Sequence, residues 1–424
     1  TSCVSVMRRV SARSATTPLP APPPAPALPR GKMCTDCGLS RMKLAAECGR
    51  ACQFTTPDFP KLETQVHGVP RDTADEDARF FGPHIAMHRA AMRTPEPGAQ
   101  WTGITTSLAA KLLETGAVDA VLTLAPAEDD IFRPVPVIIT DPADMARVRG
   151  MRMGYAPLLS LLEPAADAGH KRLAIVGIPC QVHALRNIEA QLGFERLYVI
   201  GTPCSDNTTT ENFHDFLALL TDKPETVTYL EFRADYRVEV RFENAKTKLI
   251  PFLSLPISNL PDDFFPLTCR TCTDYTNALA DITVGYMAGE GEQWLIVRNA
   301  RGQEMLNALG DEIRLSPVRS SGKRTAAVKG FAENTARAAG GLPLRRMPDW
   351  VRPIVSFLQP RIGPKGREFA KARLEMKAVE TILHLRRAAP ARMKHMIPDH
   401  VWALAAPYGL RPEQGERKTP PKAP

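Results

Sequence analysis

Eight of the nine cysteines fall into two sets of four: Cys34, Cys37, Cys48 and Cys52 near the start, and Cys180, Cys204, Cys269 and Cys272 across the middle. Each set contains a C-x2-C pair, a turn that aims two sulfurs at one metal, and thiolates select zinc or iron–sulfur clusters over hard cations. The first set, C-x2-C-x10-C-x3-C, is compact, and its spacing alone leaves a structural zinc ribbon and a cluster both open. For the second set the plain alternative is buried, inert cysteine. Burial alone asks for no C-x2-C pair and no Pro-Cys turn at two strand ends, so ligation is the better reading. Two clusters in one chain make a path for single electrons, and a flavin is the group that converts one-electron input into hydride-like output, so a flavin site is expected as well.

The elements that must position these thiols follow from periodicity. GITTSLAAKLLETG predicts a helix, and DAVLTLAP, VPVIIT and KRLAIVGI predict strands, the last running into Pro179 and Cys180. QVHALRNIEAQLG continues as a helix, and the next strand, LYVIGTPC, also ends on a cysteine. Cys180 and Cys204 therefore stand at the carboxyl ends of adjacent predicted strands, where open α/β sheets place their ligands. The C-x2-C loop of TCRTCTDYTNALADITVGYM can return Cys269 and Cys272 to the same rim, completing a four-thiolate shell from three segments. Residues 227–252 alternate as antiparallel strands of a hairpin subdomain. Beyond residue 340 the pattern turns helical and basic. There WVRPIVSFLQPRIGPKG reads as a core or surface-packing helix broken by prolines, with membrane or pigment contact as the other reading.

With 424 residues and 44% hydrophobic content the chain can bury a substantial core, and no run of about 18 apolar residues marks a spanning helix. Nine cysteines are too sparse for a disulfide scaffold, which favours a reducing compartment: bacterial cytoplasm, or chloroplast stroma in an alga. Charge is uneven. Residues 1–33 carry five basic and no acidic residues, residues 341–424 carry 17 basic and 7 acidic, and the stretch between has a net −7. A solvated face is the bland account of the basic tail; a small acidic electron carrier is the sharper one. The Pro-, Ala- and Arg-rich opening has almost nothing to bury and is expected to be disordered, with Cys3 a bystander. It resembles an organelle transit peptide, though a bacterial extension or translation upstream of Met7 or Met33 explains it equally well.

GAQWTGITTSLAAKLLETG, GIPCQVHALR, GTPCSDNTT and CRTCTDYTNALADITVGYM together resemble the beta subunit of deazaflavin-reducing hydrogenases and, more closely, the plant and bacterial chlorophyll-pathway reductases of that family. The similarity runs from about Cys34 to Gly366. It implies FAD and two 4Fe-4S clusters, one on each cysteine set. It also implies that Gly98, Gln100, Trp101, Thr102, Gly103, Thr105 and Thr106 border the flavin, in a turn whose helix N-terminus would suit a pyrophosphate. By itself that turn is a plain helix cap. Asp206, Asn207, Asn277 and Asp281 lie in the matching motifs as loop caps or, for Asn207 above all, as flavin or substrate contacts. His183, one turn past Cys180, reads as a satisfied helix histidine, and no catalytic acid is assigned. One departure matters: relatives commonly read C-x2-C-G-L-C where this chain has CTDCGLS, so Cys48 is taken to replace the ligand lost at Ser40.

The resemblance implies two activities, ferredoxin-dependent reduction of the 8-vinyl group of a divinyl chlorophyllide and reduction of 7-hydroxymethyl chlorophyll a. The plant hydroxymethyl reductases carry a longer insertion where this chain has GYMAGEGEQWLIVRN, so the vinyl branch is expected, with reduced ferredoxin as donor and a tetrapyrrole as substrate. An electron-transfer subunit of a hydrogenase and a zinc-stabilised binding protein are the rivals; nucleic acid is not expected as a partner, and peripheral membrane contact stays open. The expected fold class is α/β with α+β elements: a mixed-sheet flavoprotein core, cluster loops, the hairpin subdomain and a helical C-terminal region. The expected division is an extension at 1–33, an iron–sulfur segment at 34–97, a catalytic domain at 98–340 and the basic region at 341–424.

Overall fold

The computed structural model describes residues 34–233, 235–285, 292–338 and 347–417. The opening extension with Cys3, and the centre of the GYMAGEGEQ stretch at 286–291, lie outside the described residues. The strands are β1 (Ala86–Met92), β2 (Ala120–Pro126), β3 (Pro134–Ile139), β4 (Arg172–Gly177), β5 (Arg196–Gly201), β6 (Val227–Phe232), β7 (Arg237–Phe242), β8 (Thr247–Pro251), β9 (Ile282–Gly285), β10 (Gln293–Val297) and β11 (Ile313–Pro317). Eight of them form one mixed sheet in the order β11-β1-β10-β9-β5-β4-β2-β3. Its centre, β9, β5, β4 and β2, is parallel, while β3 on one side and β10, β1 and β11 on the other complete it with antiparallel pairings.

The continuous apolar runs of β2, β4 and β5 are what a parallel strand covered on both faces requires. Alternate residues divide between two cores. Val121, Ala174, Tyr198 and Ile200 face the helices Ile104–Glu114 and Ala300–Leu309, whereas Leu122, Leu173, Ile175, Leu197 and Val199 face the helix Pro179–Ile188 and the N-terminal Leu39, Phe59 and Leu62. Strand β1 precedes residue 98, where the sequence suggested a domain boundary, yet it pairs inside the main sheet with β10 and β11. The predicted hairpin over 227–252 is a three-stranded meander, β6-β7-β8, packed on the helix Thr210–Leu220.

The C-terminal region is part of the body. The 22-residue helix Arg367–Ala388 buries 14 of its residues, and its Phe369, Leu374, Val379, Ile382 and Leu385 share a core with Phe81, Trp294 and Trp402. Its cations meet acids from other segments: Lys371 lies 2.9 Å from both Glu76 and Asp77, Arg367 2.7 Å from Asp77, and Lys377 2.9 Å from Asp206. Part of the basic surplus of the tail is thus matched internally by the acidic surplus of the preceding body.

Candidate functional site

Strands β4 and β5 run in register, Gly177 opposite Gly201, so Cys180 and Cys204 each emerge three residues past a paired glycine on the same sheet edge. Asn277, at a left-handed φ of 57°, fastens the two strand ends by donating Nδ2–H to Gly177 O at 2.8 Å and to Thr202 O at 3.3 Å. Gly201 is obligatory there, since a Cβ would stand 2.6 Å from Ala280 Cβ. The short helix Leu267–Arg270 and the turn after it bring Cys269 and Cys272 to this edge, and Cys204 N–H donates to Tyr275 O at 3.1 Å. All four cysteines line one pocket with Pro179, Ser205, Asp206 and Asn207. A larger groove near Glu189, Arg196, Arg301 and Glu304 has its charges paired with one another and belongs to the opposite, amino-terminal end of β5.

The first cysteine set stands against this pocket. Thr35 Oγ1 donates to Cys180 Sγ at 3.8 Å, Gln53 Nε2 donates to Cys272 Sγ at 3.2 Å, and Thr35, Gln53 and Phe54 form part of the pocket wall. The segment is docked by Gly38, whose φ of 105° and close approach to Pro157 O exclude a side chain, and by Leu159 N–H donating to Cys37 O at 2.9 Å. Cys48 opens the short helix Cys48–Ala51 and Cys52 caps it. Cys34, Cys48 and Cys52 all stand near enough to Cys37 to disfavour its ionisation, so Cys48 is grouped with the other three. His183 is a positioning residue: Nδ1 meets Ala51 O at 3.0 Å, beside Cys52, and burial lowers the imidazole to about 4, leaving it neutral.

Burial dominates the electrostatics of Cys37 and of the four thiols that line the pocket. It pushes Cys37 and Cys269 up to about 12 and Cys272 up to about 11, and it raises Cys180 and Cys204 well above the ordinary thiol range, with neighbouring thiols adding to the effect on both. No local cation is strong enough to ionise them, so a metal that binds here must displace protons. A donor set of sulfur alone suits iron–sulfur clusters or zinc. Among the described residues no three Cys, His, Asp or Glu side chains converge as a single ion requires.

The turn proposed for the flavin lies on the same sheet edge. Strand β1 runs in the direction of β5, and the turn following it, with Gly98, Trp101 and Gly103 at φ of 77°, 55° and 85°, leads into the helix Ile104–Glu114. From β1 to β5 is three strand spacings, about 14 Å. Thr102 is an internal brace: its hydroxyl accepts from Met92 N–H at 3.1 Å and donates to Gln293 Oε1 at 3.4 Å, and Gln293 Oε1 also accepts Ile104 N–H at 3.2 Å. Thr105 and Thr106 are partly exposed in the first helical turn, where N–H groups lack intrahelical acceptors; Gly98 is exposed and Gln100 partly so. The side chain of Asn207 is committed to Gly154, accepting its N–H at 3.2 Å and donating to its O at 2.8 Å. Asp281 is fully buried and spent on structure, 2.9 Å from Arg186 and 2.8 Å from Arg301 while accepting Val199 N–H at 2.8 Å.

Four site residues were not legible in the sequence. Thr35 and Gln53 are signalled only by adjacency to Cys34 and Cys52. Tyr155 is half-buried beside thiols of both sets, and burial followed by those thiols drives its phenol far above the usual range, so it keeps its proton. Lys377 reaches the pocket from the C-terminal helix and donates at 2.9 Å to Asp206, to Glu380 and to Cys269 O. Burial lifts the Asp206 carboxyl despite that cation. Lys377→Met should therefore leave two facing carboxylates buried without their cation at a cost of about 3–5 kcal/mol, smaller near pH 5 than near pH 8 because a lifted carboxyl takes up a proton in acid. Urea denaturation of both proteins at the two pH values checks this; an equal deficit at both would refute it.

Two family profiles match the chain, describing the N-terminal and C-terminal parts of the coenzyme F420 hydrogenase/dehydrogenase beta subunit, over residues 87–163 and 170–320 respectively. The 7-hydroxymethyl chlorophyll a reductase, chloroplastic, of Oryza sativa is 35% identical over 401 residues, covering 91% of this chain and 84% of that one. The chain belongs to the family of coenzyme F420 hydrogenase/dehydrogenase beta subunits. Within it, an uncharacterised protein of Nostoc is 36% identical over 90% of this chain and 95% of its own. A component of the F(420)H(2) dehydrogenase of Methanosarcina mazei is 28% identical over 56% of this chain and 64% of its own. In solved structures, a chain of the F420-reducing [NiFe] hydrogenase complex from Methanosarcina barkeri shares the fold, with a TM-score of 0.50 and 21% identity over 56% of this chain and 84% of that one. The family members with named activities are reductases, dehydrogenases and hydrogenases, which supports an oxidoreductase here. Among the described residues no helix is long and apolar enough to cross a membrane.

Proposed function

We propose that this chain is a ferredoxin-dependent iron–sulfur flavoprotein that reduces the 8-vinyl group of a divinyl chlorophyllide, or of its protochlorophyllide precursor, to ethyl. The observation that carries the reading is the adjoining pair of thiol sets, one lining a pocket at the carboxyl edge of the sheet and the other on the segment whose Thr35, Gln53 and Phe54 form part of the pocket wall. Cys34, Cys37, Cys48 and Cys52 would hold one 4Fe-4S cluster and Cys180, Cys204, Cys269 and Cys272 the other; Gly98, Gln100, Trp101, Gly103, Thr105 and Thr106 would border FAD. When bound, these groups supply single-electron relay and two-electron, hydride-like reduction. The chain contributes a thiol-lined pocket, the Asn277 and Asn207 clamps that fix its rim, and a phenol at Tyr155 that stays protonated.

A second reading, reduction of 7-hydroxymethyl chlorophyll a, is favoured by the identity to the rice reductase. The connection between β9 and β10 supports the vinyl branch, because only seven residues separate Gly285 from Gln293. The discriminating experiment offers divinyl chlorophyllide a and 7-hydroxymethyl chlorophyll a separately to the anaerobically reconstituted protein with reduced ferredoxin, and resolves the products chromatographically. An 8-ethyl product is expected. Turnover of the hydroxymethyl pigment alone would move the protein to the second reading, and turnover of neither would favour an electron-transfer role within a larger complex.

A further inference from the structure

The helix Arg352–Ile362 is inside out. The sequence suggested that its apolar residues pack against the protein, yet no residue of this helix is fully buried and its apolar side faces solvent. Trp350 just before it is 76% exposed, Phe357 63% and Ile362 66%, with Ile354 and Leu358 exposed between them. Of the twelve large apolar side chains exposed among the described residues, these five fall within thirteen positions, which makes them one patch. At 100° per residue, Trp350, Ile354, Phe357 and Leu358 share one face, with Ile362 at its margin. The polar residues point the other way: Ser356 Oγ and Gln359 Oε1 are turned into the protein and buried without a hydrogen-bond partner among the described residues. A helix that orients its polar atoms inward at that cost is matched to an apolar medium outside.

Cations mark what that medium is. Arg361 lies in the middle of the apolar face, its guanidinium 4.0 Å over the Phe357 ring, and Lys365 is exposed just beyond the helix. Between residues 345 and 365 the chain carries Arg345, Arg346, Arg352, Arg361 and Lys365 against a single acid, Asp349. Apolar side chains with an interfacial tryptophan, and an exposed arginine and lysine toward the end of the helix that can snorkel to phosphate, are the chemistry of an anionic lipid surface. A second copy of the chain fits less well. One face of an 11-residue helix, about 16 Å by 10 Å, offers about a fifth of the area that each partner of a stable interface buries, and a two-fold axis would bring Arg361 toward its own copy.

We infer that Trp350 and the helix Arg352–Ile362 form a contact with the surface of an anionic lipid bilayer, the apolar face entering the headgroup layer and Arg361 and Lys365 meeting its phosphates. The helix is held in place at its far end, where Tyr236 OH donates to Pro364 O and a Cβ at Gly363 would stand 2.9 Å from that hydroxyl. Tyr236 and Phe369 belong to the apolar cluster against which Cys180 and Cys272 also pack, so the tyrosine that anchors the end of this helix and the thiol pocket border one core.

The test uses the purified full chain in cosedimentation with vesicles of phosphatidylcholine alone or of phosphatidylcholine with phosphatidylglycerol, and needs no bound cofactor. The wild type should bind the anionic vesicles, and Ile354→Glu with Phe357→Glu, both at exposed positions, should weaken binding at least about tenfold with the circular dichroism unchanged. Arg361→Glu should weaken binding to anionic vesicles. Absence of binding to either vesicle, undiminished binding by the double variant, or light scattering that shows a wild-type dimer dispersed by the double variant in place of vesicle binding would each overturn the inference.

Discussion

Cys269→Ala protein, purified without oxygen, is expected to carry about half the iron of the wild type and to reduce no pigment, while keeping its flavin absorbance and its fold. Cys269 is the buried member of the C-x2-C pair and its thiol is pushed up to about 12, first by burial, then by Asp206. Such a sulfur is neutral in the apo protein and ionises only as iron displaces its proton, so deleting it removes a ligand without exposing a charge. With one of four ligands gone the second cluster should be lost and the single-electron route cut. The first set gives the complementary result: Cys48→Ser should lose the other half of the iron, whereas Ser40→Ala should lose none. Iron and labile sulfide analysis beside the activity assay reads all three variants. Full iron in Cys269→Ala, or zinc in place of iron in the wild type, would sink the cluster reading.

Asp281→Asn should cost about 3–5 kcal/mol of stability at neutral pH, because the fully buried Arg186 would lose the carboxylate 2.9 Å away. The hub is larger than the pair: Asp281 also meets Arg301 and Asn299 at 2.8 Å and accepts Val199 N–H, joining β5, the turn before β9 and the helix Pro179–Ile188. Burial alone would raise this carboxyl, but Arg186 and Arg301 outweigh it and hold it below its ordinary value. The sign follows. A depressed carboxyl contributes stability that is complete above the unfolded-state pKa, about 4, and fades as pH falls through the lower folded value. The deficit of Asp281→Asn should therefore be constant from neutral pH down to about pH 4 and narrow only in stronger acid, whereas that of Lys377→Met should already shrink near pH 5. Paired denaturation curves across this range test both; a deficit that narrows at the same pH in the two variants would contradict the assignment.

The chain itself determined the elements that carry the second thiol set. Val, Ile and Leu runs ending in Pro-Cys predicted β4 and β5 with their cysteines on one edge, and the register of Gly177 with Gly201 agrees. Strand β1 was not legible because AMHRAAM has neither β-branched residues nor alternation; only its pairing between β10 and β11 makes it a strand. The motif turn around residue 100 comes to the same sheet edge as the thiols, and the bracing roles of Thr102 and Asn207 were not legible because their partners, Gln293 and Gly154, are remote in sequence. The charge asymmetry was visible as composition, yet its meaning was tertiary: Lys371, Arg367 and Lys377 find acids about 170 to 300 residues away. Periodicity and turn chemistry are local, so a sequence states them directly. Which carboxylate meets which lysine, and which face of a helix stays uncovered, depends on burial, and burial is decided only when distant segments pack together.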